Sequence, residues 1–309
     1  MRTANIAVPS PLTRSLRLPL PVMVAAFCLL WASAFSVAKL AIADCPPLIV
    51  LTARFLLAGV VILGAAALFR MPLNLGRREF LLFALLGIAN QAVYLGLSYV
   101  GIRSTSSGLA ALVISANPVL TAVLAVAFLD ERMTWRKAMG LLLGIGGVAF
   151  VVESRMAGDV DHPVGIALLL AALVSLVGGT ILYKKFAPSG RGLWVGNGVQ
   201  SLAAGLATLP FAFAFESVGD IVPSWRLAAS LAYLSLFVSI FAYLLWFHLL
   251  NVSGATAASS YHFMMPPLGL LFGWLLLGEQ VALTDLIGIV PVALGIYLVT
   301  RPTSSPAGK

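Results

Sequence analysis

Residues 118–147 read PVLTAVLAVAFLDERMTWRKAMGLLLGIGG, and residues 266–295 read PPLGLLFGWLLLGEQVALTDLIGIVPVALG. Four markers recur at a displacement of 148 residues: Pro118 and Pro266, Glu131 and Glu279, Gly140 and Gly288, Gly147 and Gly295. In both stretches an apolar run separates the proline from the glutamate, and a short polar turn leads into a second apolar run. Each stretch therefore predicts a hairpin of two membrane helices.

The match extends upstream of these two stretches. Three residues recur there at a displacement of 149, which a one-residue gap reconciles with the first value. They are Tyr94, Leu95 and Ser104, repeated as Tyr243, Leu244 and Ser253. We interpret the chain as a tandem duplication, an internal symmetry on which many transporter folds are built.

The composition is that of a polytopic membrane protein. The 309 residues are 61% hydrophobic and only 10% charged, with a mean hydropathy of +1.03, so polar surface is too scarce for a soluble globule. The net charge of +8 does not indicate nucleic acid, because the basic residues fall at helix ends. Cys28 and Cys45 offer neither a disulfide framework nor metal-ligand spacing, so no metal site is predicted.

Apolar runs of about 20 residues predict ten membrane helices joined by short connections. Their predicted bounds are 21–43, 47–69, 79–101, 107–129, 135–152, 163–184, 193–215, 226–250, 256–277 and 284–300. Five helices per half is an odd number, so the second half enters the membrane from the opposite side. The predicted fold is all-α, with two inverted five-helix repeats, 21–152 and 163–300, around a central cavity. Tails 1–20 and 301–309 flank them.

The placement of basic residues tests this topology. With a cytoplasmic N-terminus, 14 of the 19 lysines and arginines lie at inner helix ends and three at outer ends. This bias predicts that both termini are cytoplasmic and that loop 154–162 is external. We expect a multi-pass, monomeric protein of the plasma membrane, the inner membrane of a bacterium, whose partners are the lipid bilayer and a small-molecule substrate.

These features resemble the drug/metabolite transporter superfamily and, within it, the EamA-type ten-helix permeases. The resemblance covers nearly the whole chain and rests on the paired hairpins together with Trp31-Ala32-Ser33-Ala34-Phe35, Lys39, Pro46-Pro47 and Arg54-Phe55. The length, the tyrosine-rich third helix and the ten-helix pattern are similar to YddG-type amino-acid exporters. The second half has Val199-Gln200 where the first has Arg54-Phe55, so the role of Arg54 is not duplicated.

Several function classes are disfavoured. No Gly-x4-Gly-Lys-Ser/Thr loop is present, which argues against ATP-driven transport and predicts no cofactor. No carboxylate falls in the middle of a predicted span, which argues against an intramembrane enzyme and leaves His248 and His262 as the imidazoles near the pathway. A channel would show a ring of charge or a filter loop, and neither is visible.

Two basic residues inside apolar segments admit two interpretations. Lys39 and Arg54 lie on opposite sides of the Asp44-Cys45-Pro46-Pro47 turn. Long basic side chains near a helix end can extend to the membrane interface. Alternatively, they form an electropositive outer vestibule for a carboxylate, or pair with Asp44.

A polar and aromatic stripe is predicted along the third helix. Asn90 and Gln91 fall near its middle, where an unsatisfied amide costs about 2–7 kcal/mol, and Tyr94 and Ser98 follow at one-turn spacing. The stripe bonds a neighbouring helix or lines a cavity. We favour the cavity, because Trp31 lies at similar depth on the first helix.

Prolines interrupt the fourth and ninth helices at equivalent places. Pro118 leaves the Ile114 carbonyl without its helical partner, and Pro266 and Pro267 do the same to two further carbonyls. Such breaks often line substrate sites in transporters, although a simple packing kink would give the same sequence. We predict that all three prolines act as hinges.

The sequence thus favours a transporter, not an enzyme, that exports small organic solutes by alternating access, most simply amino acids including aromatic ones. The alternatives are export of drugs or other metabolites and, from another class, a solute or ion channel. The predicted cavity-lining or substrate-binding residues are Trp31, Ser33, Lys39, Asn90, Gln91, Tyr94, Tyr99, Ser260, Tyr261, His262 and Met265.

Overall fold

A computed structural model describes residues 19–129, 133–157, 161–186 and 192–300. Within these ranges every regular element is helical, and none is a strand. Glu131, residues 158–160 of the predicted external loop, and nearly all of the two predicted tails lie outside the described residues.

Ten helices, α1 to α10, follow one another along the described chain. In order they are Leu20–Ile42, Pro47–Leu68, Arg77–Gly101, Ser107–Phe128, Trp135–Ala157, Pro163–Phe186, Leu193–Phe215, Trp225–Ser253, Ala255–Leu277 and Leu283–Thr300. All but two have the length and hydropathy needed to cross a membrane; α5 carries several charges, and α10 is apolar over the shorter stretch Leu283–Gly295. The prediction of an all-α polytopic membrane protein is therefore confirmed.

The helix ends differ from the predicted ones by a few residues. The largest difference is α5, which continues to Ala157 instead of ending at 152. Helix α3 begins two residues early, at Arg77, because Gly76 and Glu79 form the first turn: the Glu79 carboxylate accepts from the Gly76 amide at 3.0 Å. Charged residues at a helix end are compatible with the membrane interface, so hydropathy alone places such ends poorly.

The packing of the two halves is symmetric. Three helices of the first half pack on their own counterparts in the second, α2 on α7, α4 on α9 and α5 on α10. The remaining contacts exchange: α1 packs on α8 and α9, as α6 packs on α3 and α4. Since each half holds five alternating helices, counterparts run in opposite directions, as inverted repeats require.

Glycines bring α5 and α10 into close contact. A Cβ on Gly147 would lie 2.8 Å from the Gly288 carbonyl oxygen, and one on Gly295 would collide with the Gly140 carbonyl. These are the glycines that recur in the duplicated stretches. Without side chains, they let the two helix backbones approach closely.

Four helices depart from regular α-helix at equivalent positions. A π-helical segment interrupts α3 at Ile88–Val93 and α8 at Tyr233–Ala242. Helix α4 is broken between Ile114 and Asn117, and α9 contains a 3-10 segment, Tyr261–Met264.

The prolines lie at these breaks in a way that differs from the expectation of mid-helix prolines. Pro118 is the second residue of the segment Asn117–Phe128, and Pro266 is the second residue of Met265–Leu277. Proline is well tolerated there, since the first turn of a helix needs no intrahelical amide partner. The prolines therefore begin new helical segments instead of bending continuous ones.

Replacing Gly147 with alanine should separate α5 from α10. Overpacking of this kind destabilises by about 1–3 kcal/mol, so we expect a lower midpoint of thermal unfolding in detergent. The adjacent Gly146 is the matched control, because a Cβ there meets nothing within 4 Å. Gly146→Ala should leave the midpoint unchanged or raise it; equal losses in both variants would contradict the packing role.

Candidate functional site

A small cavity lies where α1, α2, α3 and α8 meet. Its walls are mainly aromatic, and its lining consists of Trp31, Ala34, Phe35, Arg54, Tyr94, Leu95, Tyr99, Val238 and Tyr243. The space open to a water molecule is about 20 Å³, which accommodates a single water and no organic solute. The helices must separate before a substrate can enter.

Arg54 brings a positive charge into these aromatic walls. Arg54 is buried, with 1% of its surface exposed. Its Nε donates to Ser239 Oγ at 2.8 Å, its Nη1 donates to the Tyr99 hydroxyl at 2.7 Å, and its guanidinium carbon lies 5.7 Å from the Phe55 ring centroid. No carboxylate pairs with it among the residues that the structure describes. A buried cation without a counter-ion is costly in a membrane and marks a functional site.

The π-helical segments place several groups around the cavity. They widen the turn and leave carbonyls for side chains to satisfy. The Tyr243 hydroxyl donates to the Asn90 carbonyl at 2.9 Å, Ser175 Oγ donates to the Ala89 carbonyl at 2.8 Å, and Asn197 Nδ2 donates to the Ser239 carbonyl at 2.9 Å. These bonds fix the two segments against α6, α7 and each other.

Of the predicted site residues, Trp31, Tyr94 and Tyr99 meet in the cavity lining. Asn90 and Gln91 are fully buried in the π-helical segment of α3, outside the lining, and their side-chain amides have no hydrogen-bond partner within the described residues. Asn90 lies against Gly179 of α6.

The other predicted residues lie elsewhere. Ser33 Oγ is 2.7 Å from the Tyr233 hydroxyl, outside the lining. Lys39 lies further along α1, in the cluster described below. The remaining four belong to the break in α9: Ser260, Tyr261, His262 and Met265.

Several lining residues are not among those that the sequence predicts. For Arg54 the sequence allows two interpretations. Tyr243 carries a usable signal, because it is the repeat of Tyr94, and Phe35 lies one turn from Trp31. Ala34, Leu95 and Val238 carry none, since small and aliphatic residues are common throughout membrane helices.

One end of the bundle, which we call the Asp44 end, is closed by charged groups. Lys39 Nζ donates to Glu279 Oε1 at 3.1 Å and to the Thr105 carbonyl at 2.7 Å. Glu279 also accepts from the Ser107 amide at 2.9 Å, the Ser107 hydroxyl at 2.8 Å and the Gly108 amide at 3.2 Å. These five residues form the Glu279 cluster, which ties α1, α4 and the end of α9 together.

The electrostatics of the Glu279 cluster favour an ionised carboxylate. Burial alone would raise the pKa of Glu279, but the Ser107 amide and Lys39 together hold it below its ordinary value. Glu279 caps the first amides of α4, while Asp285 accepts from the Ala282 amide just before α10.

A second set of contacts closes the same end. The Asp44 carboxylate accepts two hydrogen bonds from the Arg226 guanidinium and one from Ser224 Oγ, and its carbonyl accepts from the Val222 amide at 2.7 Å. Hydrogen bonds from Arg226 and then Ser224 lower the pKa of Asp44 to about 2. Asp44 therefore pairs with Arg226, not with Lys39 or Arg54. Nearby, the Glu216 carboxylate caps the first amides of α2.

Toward the opposite end, the Arg70 end, the cavity rests on an aromatic cluster. Phe27, Trp31, Trp246 and His262 pack with ring centroids 4.8–6.2 Å apart. Phe27 and Trp246 each lie one turn nearer that end than a lining residue of the same helix. The cavity is thus bounded by charged clusters at the Asp44 end and by stacked rings at the Arg70 end.

Both halves of the chain match one known protein family, and similar proteins occur in other organisms. The model of the EamA-like transporter family matches residues 20–153 and again residues 163–301. An uncharacterized transporter of Archaeoglobus fulgidus is 29% identical over 88% of this chain and 95% of its own. The S-adenosylmethionine/S-adenosylhomocysteine transporter of Chlamydia muridarum is 27% identical over 87% of this chain and 88% of its own.

A solved crystal structure supports the fold. It covers 91% of this chain and 96% of its own at 17% sequence identity, with a TM-score of 0.64. The family and these relatives are transporters, which confirms the predicted superfamily and the prediction that the chain is not an enzyme, while the closer likeness to amino-acid exporters stays a prediction. The chain belongs to the EamA-like transporter family, and the cavity around Arg54 is its candidate substrate site.

Proposed function

We propose that this membrane transporter exports amino acids, aromatic ones included, by alternating access, and that Arg54 holds the substrate carboxylate. The observation that carries the proposal is a buried guanidinium, set among aromatic rings, that has no acidic partner in the part of the chain that the structure describes. Such a cation favours an anionic group brought by the substrate.

The guanidinium has donors left for a ligand. A guanidinium carries five N–H groups in a planar fork, and Ser239 and Tyr99 accept from only two of its nitrogens. Arginine binds carboxylates with two parallel hydrogen bonds, which fixes orientation as well as charge. A carboxylate here would replace water and neutralise the cation.

The aromatic lining suits the rest of an amino acid. Trp31, Phe35 and the three lining tyrosines offer ring faces that attract an ammonium group and accept an aromatic side chain. Asn90 and Gln91 lie next to the lining, and their side-chain amides find no partner in the described ranges. They are available to a polar substrate group once the helices move apart.

Alternating access is supported by the symmetry of the interruptions. The cavity is too small for its substrate and is bounded at both ends, as expected of an occluded intermediate. The breaks at Pro118 and at Pro266 and Pro267 occupy equivalent places in inverted halves, so their motions would open opposite ends. A channel would need a continuous path, which the two boundaries oppose.

A second candidate substrate is a larger amino-acid derivative with a cationic centre. The relative from Chlamydia muridarum is named for S-adenosylmethionine and S-adenosylhomocysteine. S-adenosylmethionine carries an α-carboxylate for Arg54, a sulfonium for the ring faces and a purine that can stack. Other metabolites and drugs lacking a carboxylate would leave Arg54 unpaired. Counterflow of labelled phenylalanine against each unlabelled compound in proteoliposomes separates these cases.

Removing the guanidinium should weaken substrate binding. A hydrogen bond to a charged group contributes about 1.5–3 kcal/mol, so Arg54→Met should raise the half-saturating phenylalanine concentration roughly 10- to 100-fold. Arg54→Lys should give a half-saturating concentration between those of the parent protein and Arg54→Met, because lysine keeps the charge but not the planar fork of N–H donors.

The matched control for this experiment is Arg103→Met, which removes an exposed cation at the Asp44 end. It should leave counterflow unchanged. Normal half-saturation in a well-folded Arg54→Met protein would exclude Arg54 as the carboxylate site.

Neutralising Glu279 should loosen the Asp44 end. With Cys28 and Cys45 replaced by alanine, a cysteine at Ser36, which is buried and 3.2 Å from Ser107 Oγ, reports on opening. Glu279→Gln should raise its labelling rate by roughly tenfold, the loss of one charged hydrogen bond.

Acid should likewise raise the labelling rate of the cysteine at Ser36 in the protein that keeps Glu279. The lowered pKa of Glu279 means that the stabilisation of the closed Asp44 end by Glu279 is complete above the ordinary value of 4.5. This stabilisation is lost as the pH falls through the lowered value.

The control for Glu279→Gln is Asp220→Asn, which neutralises an exposed carboxylate at the same end. Equal labelling in both variants would argue against the Glu279 cluster as a closure.

We further propose that the Asp44 end faces outward, with both termini in the cytoplasm of a bacterial cell. The motive is the excess of lysine and arginine at the Arg70 end. In intact cells an impermeant thiol reagent should label a single cysteine at Gly219, at the Asp44 end, and spare one at Asn74, at the Arg70 end. The reverse pattern would invert the assignment.

A further inference from the structure

His262 is an interior base that substrate binding by Arg54 does not use. It lies in the 3-10 segment of α9 and is fully buried. Its Nδ1 is 3.2 Å from the Ser259 carbonyl. A carbonyl only accepts, so Nδ1 carries the hydrogen of this bond and Nε2 presents a lone pair. Nε2 has no partner within the described residues.

Three aromatic rings enclose the imidazole, and among the described residues none of these neighbours supplies an anion. The ring centroids of Phe27, Trp31 and Trp246 lie 5.4, 5.6 and 4.8 Å from that of His262, at interplanar angles of 73°, 81° and 89°. These rings keep water away from Nε2 while the cavity is closed. Because burial disfavours the charged imidazole, Nε2 can take up a proton only when the helices part and water reaches it.

Other titratable groups near His262 are few. Cys28 of α1 donates its S–H to the Tyr261 carbonyl at 3.3 Å, and the Tyr261 hydroxyl is 3.2 Å from Ser253 Oγ. The facing stretches of α4 and α9 carry none; α10 carries Tyr297, and α8 carries Tyr243 in the cavity lining and the exposed His248. The acidic side chain that these elements carry is Asp285, in the first turn of α10 at the Asp44 end of the bundle.

We propose that Nε2 of His262 binds a proton during the transport cycle, so that export of substrate is exchanged for import of a proton. In the open cavity a hydronium ion gives its proton to the lone pair, which forms an N–H bond and releases water. The bond breaks when the site meets water on the other side. No other reactant is consumed.

Trp31 provides the coupling between proton and substrate. Its ring contacts His262 and also walls the cavity. An ammonium group on that ring and an imidazolium behind it are like charges less than about 10 Å apart, which weakens the binding of each by roughly tenfold to a hundredfold. Substrate and proton then exclude one another, as an exchanger requires. This competition rests on the proposed amino-acid substrate, whereas the proton site does not.

The proton site can be tested without substrate. The chain has three histidines, so in a protein carrying His162→Gln and His248→Gln the remaining imidazole belongs to His262. Its ¹⁵N resonances should change reversibly from the neutral to the imidazolium pattern between about pH 8 and about pH 5. An imidazole that stays neutral throughout this range would overturn the proposal.

Coupling is tested in proteoliposomes with labelled phenylalanine. A pH gradient should drive its accumulation by the parent protein and by His248→Gln, which alters a lipid-facing imidazole. His262→Gln should retain counterflow at equal pH, which shows that it is folded, but lose the response to the gradient. A His262→Gln protein that still responds would overturn coupling through His262.

The two proposals fail in different ways. If the parent protein shows no counterflow with phenylalanine or any other amino acid, the proposed function fails and the resonance titration alone decides the proton site. If counterflow is present but phenylalanine binds the parent protein equally well at low and high pH, competition at Trp31 is excluded.

Discussion

The bilayer requires every backbone polar group to find a partner inside the protein, and the arrangement of this chain depends on that requirement. Regular α-helices meet it unaided, but four helices here depart from α geometry. The departures occur where neighbouring helices surround them. All eight residues of Ser107–Ile114, before the break in α4, are buried.

Side chains from opposing helices satisfy the carbonyls near the π-helical segments. Ser175 of α6 donates to the carbonyl of Ala89, Tyr243 of α8 to that of Asn90, and Asn197 of α7 to that of Ser239. All three donors belong to the second half, and two of the three carbonyls belong to the first. The first half therefore depends on the second for backbone partners, which favours interleaved halves over two separate five-helix bundles.

The fold was accessible from the sequence because its determinants repeat. The duplication revealed by Pro118, Glu131 and their counterparts predicted equivalent hairpins, and hydropathy with helix length predicted the spans. The glycines that recur with them lie at the close contact of α5 with α10. Each of these signals is local in sequence or survives comparison of one half with the other.

The site was less accessible, because long-range pairing has no local signature. The sequence places Glu279 at a helix end but does not predict its hydrogen bonds to the amides of α4. It also does not predict that Asp44 pairs with Arg226. The sequence does not predict the π-helical segments either, since their residues follow an ordinary apolar pattern. The prolines were visible, yet only the structure distinguishes a bent helix from a new one.

The two boundaries of the cavity differ in physical character, which gives each end its own sensitivity. Opening the Asp44 end separates ion pairs and caps whose groups are partly accessible: the Lys39 and Glu279 side chains are 30% and 17% exposed. Water can replace those partners, so this end should respond to salt and to acid. The apparent strength of the clusters therefore overstates the free energy needed to open them.

Opening the Arg70 end instead separates stacked rings. Phe27 and Trp246 are essentially inaccessible to solvent, and exposing apolar surface costs about 25 cal/mol per Å², a cost that ionic screening does not reduce. A substrate that offers its own aromatic surface can replace those ring contacts as the cavity widens. Under the proposed function, the aromatic body of a substrate thus offsets the opening of the Arg70 end, whereas a carboxylate on Arg54 leaves the ion pairs of the Asp44 end to be replaced by water.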